Sequence, residues 1–563
     1  MTTTTSVVAE TAASPTRHRS GAGHKAALVL AAVLGVVGLI FWLYAASIHA
    51  NQGDSDGASV VLEGQAIIHG HLLLHGWALS LDSFWTVDAL VYAVLVAIAG
   101  LRPGLLYAGP ALIATAVIIV GILMARENRR GAAAIAGGFA VVALLAFPTH
   151  SMASFFLRGP LHVTTALWAL IAFWAIRRGR FGLGWAIAVL MLVMGVLGDL
   201  QMVAYGVAPL AAAGLVAMLR QRAWRGGIAQ LSAAVAGGAL GEIGQKVAKA
   251  LGGFTIGAAN PIASVHQMPE NAKHVVTFGL DLIGARTVRL VPGGNPLLGT
   301  GGPPPWLQDA HILAAAVMLA AFLAALVSLL GGVITGGQRA AAGVVFAADP
   351  DAERWRLNDM LLIATFAPPV AYVVLALTND PEYTRYLTAA VIFASILTGR
   401  IVAQYWHKLS ATWLARTVAA VAVAATMCFA AATGYTLDQP DPGQPAAQLV
   451  AWLGTHHLDE GVGDYWSASI STVESRGQVT IRPVVSGTKG TLRRYLKESD
   501  ESWYAGQRFQ FFVYNTVLPW GYDNTISATK TWGPPEHTYA VGTFRVLVWP
   551  KPLILNPNPP ATS

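Results

Sequence analysis

Two aspartates near the beginning of the chain are the residues best suited to do chemistry. Asp54 and Asp56 lie in the segment N-Q-G-D-S-D-G at 51–57, a few residues after the first long apolar run. At the outer edge of a bilayer, such carboxylates could accept a proton from a hydroxyl group, or bind a cation, beside a lipid-borne substrate. The same segment could instead be a solvated, helix-capping turn that ends the apolar run.

The histidines that follow the acidic pair could line the same cavity. Residues 60–78 have the pattern of an amphipathic helix lying on the membrane surface, and they include His69, His71 and His75. On a helix His71 and His75 share a face, whereas His69 points about 160° away from His71. A zinc site built by all three is therefore awkward, and we expect His71 and His75 to be interfacial or to contact substrate.

Two further aspartates are candidates for the cavity. Asp82 stands before an apolar run, where it could line the cavity or cap the next helix. Asp199 lies in G-D-L-Q at 198–201, between two apolar runs that both reach the predicted outer face. An ionisable residue at such a border is a functional candidate, although the turn of a tight helical hairpin would place it there equally well.

Basic residues on the predicted outer face could bind an anion. They are Lys273, Arg286 and Arg289 in a long loop and Arg385 in a short one. Arginine suits phosphate because its planar guanidinium donates two hydrogen bonds to paired oxygens and stays charged. We therefore expect these residues to bind a phosphate group. For Arg385 the alternative is an interfacial ion pair with Asp380 or Glu382.

The composition requires that these residues be positioned by a membrane protein. The chain has 563 residues, a mean hydropathy of +0.54 and 55% hydrophobic residues. Only 12% of the residues are charged, half of the roughly 25% found in soluble domains. The single cysteine, Cys428, excludes a disulfide framework. Repeated apolar runs of about 20 residues predict a polytopic integral membrane protein.

Twelve apolar runs are candidate spans. They occupy residues 26–48, 84–101, 104–125, 132–148, 160–176, 183–200, 201–219, 227–253, 310–334, 359–378, 386–404 and 413–434. The net charge of +7 comes from short basic clusters between these runs, which is the positive-inside pattern and not a nucleic-acid-binding surface. A cytoplasmic N-terminus and an external C-terminus fit every cluster if the total is eleven or thirteen spans. The conflict lies at 84–104, which either does not fully cross or hides a further crossing.

The chain divides into three predicted parts. Residues 1–24 resemble a disordered cytoplasmic tail, and residues 25–434 form the transmembrane domain with external loops at 49–83 and 254–308. Residues 435–563 are long enough for a small extracytoplasmic α/β domain with a Pro-rich tail. Within it we expect a helix at 445–453 and strands at 478–485, 509–514 and 540–548. The predicted fold class is thus mainly α, with this domain outside the membrane.

The acidic pair after the first span, followed by an amphipathic surface segment, resembles the GT-C class of membrane glycosyltransferases. That class includes protein O-mannosyltransferases, aminoarabinose transferases and oligosaccharyltransferases. The resemblance covers residues 25–563 and is sharpest at 51–77; R-Y-L at 385–387 also resembles a segment of bacterial GT-C-like proteins. This chain departs from the class in having D-S-D instead of adjacent acids, and H-G-W followed by S-L-D-S where many members are Pro-rich.

The resemblance implies inverting transfer of a sugar from a polyprenyl-phosphate donor at the outer face of the plasma (inner) membrane. Asp54 or Asp56 would accept the proton of the acceptor, which would be a glycan, a lipid or a protein. Arg385, with Lys273, Arg286 or Arg289, would stabilise the departing phosphate. A divalent cation, Mg or Mn, could be bound by Asp54 and Asp56. The alternatives are a lipid or sugar transporter, for which no inverted repeat is found, and an inactive cell-envelope scaffold.

Overall fold

The computed structural model describes residues 21–221, 224–257, 261–286, 305–341, 352–377, 381–410, 413–438, 444–487, 489–517 and 523–555. Before the C-terminal region the helices are α1 (Gly21–Ala50), α2 (Ser55–Ile68), α3 (Asp88–Ala99), α4 (Leu105–Arg126), α5 (Gly131–Leu145), α6 (His150–Phe156), α7 (Val163–Ile176), α8 (Leu183–Gly198), α9 (Ala208–Gln221), α10 (Trp224–Ala250), α11 (Met268–Leu282), α12 (Pro305–Ala341), α13 (Ala352–Val374), α14 (Thr388–Ser410) and α15 (Trp413–Asp438). The C-terminal region adds α16 (Pro445–Thr455), α17 (Tyr465–Glu474) and α18 (Thr525–Trp532).

The strands are short and lie mainly in the C-terminal region. They are β1 (Trp77–Leu79), β2 (Thr255–Ile256), β3 (Glu460–Asp464), β4 (Thr480–Ser486), β5 (Leu492–Arg494), β6 (Ser499–Asp500), β7 (Phe509–Asn515), β8 (His537–Val541) and β9 (Phe544–Leu553). Single turns of other helix types cover Val203–Val207 (π), Pro381–Leu387 (3₁₀) and Glu501–Tyr504 (3₁₀).

Six described helices are long and apolar enough to cross a membrane, and the bent pair α5–α6 would make a seventh. Shorter apolar helices at Asp88–Ala99, Val163–Ile176, Leu183–Gly198 and Ala420–Ala431 occupy further predicted runs. Helix α10 covers the predicted run 227–253 but is not among the six. The protein is therefore a multi-pass membrane protein, and a total of eleven spans is reached when the bent pair, α10 and the shorter helices other than Asp88–Ala99 are also counted.

Helix α3 explains the conflict that the charge pattern left at 84–104. It has 12 residues, so it is about 18 Å long and cannot cross a hydrocarbon core of about 30 Å. It packs instead on α2, and the contact is close at Gly64, where an added Cβ would lie 2.7 Å from the backbone nitrogen of Ala93. Without a crossing here, the basic residues after α4 fall on the cytoplasmic side in the predicted topology.

Helix α2 is shorter and more buried than the predicted surface helix. It ends at Ile68, and Gly70 then has a φ of +95°, which the chain reaches without strain because glycine has no Cβ. Most of its residues are buried, since α3 covers one side and α17 covers another. The expected helix over 60–78 therefore covers only the first part of that segment.

The C-terminal region forms a mixed six-stranded sheet in the order β5-β4-β3-β7-β9-β8. Strands β4 and β7 both run parallel to β3, and the outer pairs are antiparallel. Phe511 and Val513 face α16 and α17, whereas Phe512 faces α18, as the period-two alternation of a strand requires. An α/β domain is thus confirmed.

The predicted elements of this domain match the observed ones except at one place. The helix expected at 445–453 is α16, and the strands at 478–485 and 509–514 are β4 and β7. The expected single strand at 540–548 is instead the hairpin of β8 and β9, because the chain turns at Gly542, where φ is +56°. Helix α15 continues to Asp438, past the expected domain start at 435.

Two contacts attach this domain to the segment predicted as the first external loop. Strand β1 of that segment pairs with β6 of the domain, so that Trp77 lies opposite Asp500. On its other edge β1 pairs with β2, which precedes α11. Helix α17 packs along α2, where the Ser59 and Ser469 hydroxyls form a 3.1 Å hydrogen bond. The domain therefore lies directly against the segment that carries the acidic pair.

Candidate active site

Asp54 is the N-cap of α2 and pairs with a distant arginine. Its Oδ1 accepts a 2.8 Å hydrogen bond from the Gly57 amide, which fixes the first turn of the helix. Its Oδ2 lies 2.7 Å from Nε and 2.6 Å from Nη2 of Arg158, which precedes α7. Both carboxylate oxygens are therefore engaged, and the capping role given as the alternative is present, whereas the catalytic role of Asp54 stays a prediction.

Asp56 points toward the C-terminal domain. Its Oδ1 accepts a 2.5 Å hydrogen bond from the hydroxyl of Tyr465, the first residue of α17. Burial, and then the charge of Asp54, raise the pKa of Asp56 above its usual range, while the hydrogen bond from Tyr465 opposes this rise. A carboxylate with a raised pKa is better suited to take up a proton near neutral pH.

Arg158 joins the acidic pair to the segment that contains Arg385. Its Nη1 lies 3.3 Å from both carboxylate oxygens of Glu382, in the 3₁₀ turn before α14. Sequence analysis missed Arg158, although a signal existed: it stands in a short loop on the predicted outer face, the criterion that selected Arg385. The alternative expectation for Glu382 was an ion pair with Arg385; in the structure Glu382 forms one with Arg158.

Arg385 lies on the same 3₁₀ turn, with its guanidinium 5.7 Å from the ring centre of Tyr383 and 5.2 Å from that of Tyr386. Its Nε is buried and has no hydrogen-bond partner among the described residues. Such a donor is costly to leave unsatisfied in the interior. An anion or ordered water at this position would remove that cost.

Asp82 and Asp199 converge on His162, a residue that sequence analysis did not select. Nδ1 of His162 lies 2.8 Å from Oδ2 of Asp199, and Thr165 donates a hydrogen bond to the same oxygen. One ligand atom from each member of the triad Asp82, His162 and Asp199 lies within 4.8 Å of the others. Burial, and then the charge of Asp199, raise the pKa of Asp82 to about 7.

The triad lies beside the 3₁₀ turn that carries Arg385. The imidazole of His162 and the ring of Tyr386 have centres 5.0 Å apart, and the Tyr205 hydroxyl donates to the Tyr386 carbonyl at 3.1 Å. The turn thus contacts Arg158 through Glu382 and the triad through Tyr386. Of the described residues, this triad is the one group of three or more His, Cys, Asp or Glu side chains whose geometry could hold a metal ion.

The other predicted site residues lie apart from this cluster. His71 and His75 are exposed, and Nδ1–H of His75 donates to the Gly252 carbonyl at 2.7 Å. Lys273 pairs with Glu270 at 3.0 Å, and Arg286 lies 3.6 Å from Asp281. The structure does not bring these four residues to Asp54 or Asp56. Arg289 lies outside the described residues.

No protein-family model and no curated protein sequence matches this chain. Among solved structures, the apo form of ArnT, the aminoarabinose transferase of Cupriavidus metallidurans, matches with a TM-score of 0.52 at 14% identity, over 94% of this chain and 98% of that one. The chain has the GT-C fold. ArnT bound to undecaprenyl phosphate gives a TM-score of 0.47 over the same shares of the two chains. The oligosaccharyltransferase of Archaeoglobus fulgidus, tethered to an acceptor peptide, gives 0.42 at 13% identity, over 85% and 69%.

The GT-C fold confirms the architecture that the resemblance implied, namely a membrane-embedded helical part followed by a separate C-terminal domain. Within this GT-C fold, the segment between α1 and α3 carries Asp54 and Asp56, and the C-terminal domain packs on that segment. A shared fold does not by itself define an activity, which depends on the residues at the site.

Proposed function

We propose that this protein is a membrane glycosyltransferase that moves a sugar, with inversion, from a polyprenyl-phosphate donor to an extracytoplasmic acceptor. The observation that carries the proposal is the pairing of two carboxylates, Asp54 and Asp56, with two arginines on one side of them. Arg158 contacts Asp54 directly, and Arg385 lies on the turn whose Glu382 contacts Arg158. Proton acceptance and phosphate stabilisation are the two tasks that this transfer requires.

The reaction assigns a destination to each atom and charge. The acceptor hydroxyl oxygen attacks the anomeric carbon, the bond from that carbon to the phosphate oxygen breaks, and polyprenyl phosphate leaves with the bonding electrons. The hydroxyl proton passes to a carboxylate of the Asp54–Asp56 pair. The charge of the departing phosphate is stabilised by hydrogen bonds from Arg385 and Arg158, since guanidinium groups fixed in place need no reorganisation during the reaction.

A divalent cation fits the Asp82–His162–Asp199 triad better than the Asp54–Asp56 pair. Asp54 offers a single carboxylate whose oxygens are engaged by Arg158 and Gly57. The oxygens of Asp199 also accept hydrogen bonds, from His162, Thr165 and the Gln201 amide, but in the triad two carboxylates and an imidazole converge. That mixed donor set suits Mn more than Mg, which prefers oxygen ligands throughout. A cation bound by these residues would supply Lewis-acid stabilisation of a phosphate oxygen.

The proposed reaction takes place at the extracytoplasmic face of the membrane. We infer that the N-terminus is cytoplasmic, that the C-terminal domain is extracytoplasmic and that the host bilayer is the plasma (inner) membrane, because the basic clusters follow the positive-inside pattern. A lipid-linked donor is consistent with this orientation, since soluble nucleotide sugars are cytoplasmic. The acceptor is then a glycan, a lipid or a protein on the outer side.

The test is a transfer assay with the purified full-length protein and a panel of labelled polyprenyl-phosphate sugars. We expect release of polyprenyl phosphate by the wild type and a decrease of about 10²–10⁴-fold in the double variant Asp54→Asn/Asp56→Asn. Asp459→Asn is the matched control, because Asp459 is an exposed aspartate of the C-terminal domain. Movement of intact donor across vesicles without cleavage would support a transporter instead, and neither activity would support a scaffold.

A further inference from the structure

The C-terminal domain contributes a side chain directly to the acidic pair. Tyr465 stands 409 positions after Asp56, and its hydroxyl is the hydrogen-bond donor to Asp56 Oδ1 at 2.5 Å. Among the described residues no other hydrogen bond is formed by the carboxylate of Asp56. A domain that merely covered the loop would not need a half-buried phenol aimed at a carboxylate.

The two carboxylates differ in what surrounds them. One oxygen of Asp54 accepts an amide hydrogen bond, and the other forms an ion pair with the Arg158 guanidinium. The negative charge of Asp54 is therefore balanced by an adjacent positive charge. Asp56 forms no ion pair with a basic residue of the described part of the chain; its Oδ1 receives a hydrogen bond from a neutral hydroxyl. A carboxylate neutralised by a guanidinium is a poor proton acceptor, and a carboxylate held by a neutral donor is a better one.

Resting on the proposed function, we propose that Asp56 is the residue that accepts the proton and that Tyr465 is its positioning residue, while Asp54 with Arg158 serves the donor side. These separate roles follow from the directions in which the two side chains point. Asp54 points to the loop before α7, and Asp56 points to α17. The acceptor hydroxyl would accordingly approach between α2 and the C-terminal domain.

The position of Tyr465 is fixed by its own helix. Asp464, the N-cap of α17, accepts hydrogen bonds from the amides of Ser467 at 3.0 Å and Asn515 at 2.8 Å, which ties the start of the helix to β7. One turn later the amide of Ile470 lies 3.4 Å from the Ser55 hydroxyl, so α17 is also held against α2. A hydroxyl on so constrained a helix start orients the Asp56 side chain in one direction.

The charge on Asp56 is set by several groups besides Tyr465. The titratable residues that act on it are Asp54, Arg158, Arg385, Lys497 and Glu498. Tyr495 faces it as well but stays uncharged near neutral pH, because burial and the charge of Asp56 raise the pKa of Tyr495. Burial and the two acids favour the protonated form, while the three basic residues favour the ionised one. The hydrogen bond from the Tyr465 hydroxyl stabilises the ionised carboxylate of Asp56 more than the neutral acid formed after proton uptake. Removal of this hydroxyl should therefore raise the pKa of Asp56.

The experiment compares Tyr465→Phe with Tyr495→Phe in the purified full-length protein. The ring of Tyr495 lies 5.3 Å from that of Tyr465, and its hydroxyl forms no hydrogen bond with Asp56, which makes it the matched control. We expect Tyr465→Phe to lower kcat about tenfold with donor KM unchanged, and to move the acidic limb of the pH–rate profile upward by about one pH unit. Tyr495→Phe should move neither quantity.

Single substitutions separate the two carboxylates. Asp56→Asn should lower kcat by about 10²–10⁴-fold with little change in donor KM, whereas Asp54→Asn should act mainly on donor KM. Two results would overturn the separate roles even though transfer itself occurs. One is an Asp54→Asn variant that loses kcat while Asp56→Asn changes mainly donor KM. The other is a Tyr465→Phe variant whose pH–rate profile keeps the acidic limb of the wild type.

A readout without turnover keeps the inference testable if no transfer is found. The infrared C=O band that disappears in Asp56→Asn reports the protonated Asp56 carboxyl group. In Tyr465→Phe this band should titrate at higher pH than in the wild type. If the band titrates unchanged, Tyr465 is only an interface contact and the inference fails, whatever reaction the protein catalyses.

Discussion

The Arg158 guanidinium lies 2.6 Å from the carboxylate of Asp54, 104 positions earlier in the chain. The same guanidinium reaches Glu382 at 3.3 Å, on the turn that carries Arg385. This one side chain thus connects the segment before α2, the loop before α7 and the turn before α14. Through it, the acidic pair and the turn that carries Arg385 belong to one connected group of side chains.

Replacement of Arg158 tests that connection. Arg158→Ala leaves Asp54 without its cation and removes a charged hydrogen bond worth about 1.5–3 kcal/mol, so kcat/KM for the donor should fall by roughly 10–100-fold. Arg158→Lys should recover only part of this, because lysine cannot donate in the two-pronged geometry. The control is Arg102→Ala, an exposed arginine before α4. Equal kinetics of Arg158→Ala and the control would exclude Arg158 from the site.

Arg385 is expected to bind the donor phosphate. Arg385→Lys should weaken donor use while folding stays intact, and Arg385→Ala should cost about 1.5–3 kcal/mol. If Arg385 has only a surface role, both effects should stay under about 1 kcal/mol. Donor affinity, measured by competition with labelled polyprenyl phosphate, distinguishes the two cases. Glu382→Ala serves as the comparison, and equal, small effects in both variants would remove Arg385 from the site.

The triad is expected to bind a divalent cation. Treatment with EDTA should lower transfer, added Mn should restore it, and His162→Asn should weaken Mn binding measured by calorimetry. Asparagine is the suitable replacement because His162 has a φ of +67°, a left-handed conformation that asparagine tolerates. His537→Asn, at an exposed histidine, is the control. Wild-type protein that binds no Mn and keeps its activity in EDTA would make the triad a purely structural hydrogen-bond network.

Glu498 should make the folding stability depend on pH. Burial, and then the charge of Asp56, raise its pKa from 4.5 to about 7. The folded state therefore holds this proton more tightly than the unfolded chain, so its contribution to stability is lost as the pH rises from about 4.5 to about 7. The loss is roughly 3 kcal/mol. Glu498→Gln, which can still accept from the Ser80 amide, should flatten the Tm-against-pH curve in that window.

The matched control for Glu498 is Glu501→Gln, an exposed glutamate at the start of the neighbouring 3₁₀ turn. It should leave the curve unchanged. A Glu498→Gln curve that stays parallel to the wild type from pH 4 to pH 8 would contradict the expected proton uptake on folding.

Orientation in the membrane can be tested with single cysteines in a Cys428→Ala background. Gln507→Cys, at an exposed position before β7, should react with a membrane-impermeant maleimide in intact cells. Asn128→Cys, exposed between α4 and α5, should react only after lysis. The reverse result would overturn both the topology and the argument for a lipid-linked donor.

The sequence by itself determined the features that depend on local chemistry. Apolar runs between basic clusters identified a multi-pass membrane protein, because hydrocarbon requires such runs wherever a helix crosses it. Alternating strands and the proline before α16 identified the C-terminal α/β domain. Asp54 and Asp56 were selected because they follow the first span closely, a relation that one stretch of sequence contains.

Only the tertiary structure decided which residues meet the acidic pair. Arg158 and Tyr465 reach it from 104 and 409 positions away, and no local periodicity encodes such a contact. The same holds for His162, whose carboxylate partner Asp199 lies 37 positions later. The sequence also left the length of α3 undecided. An apolar composition shows that a segment is buried away from water, but it does not show whether the segment crosses the bilayer or packs against other parts of the protein. Those outcomes depend on the packing of distant segments, which a linear pattern does not record.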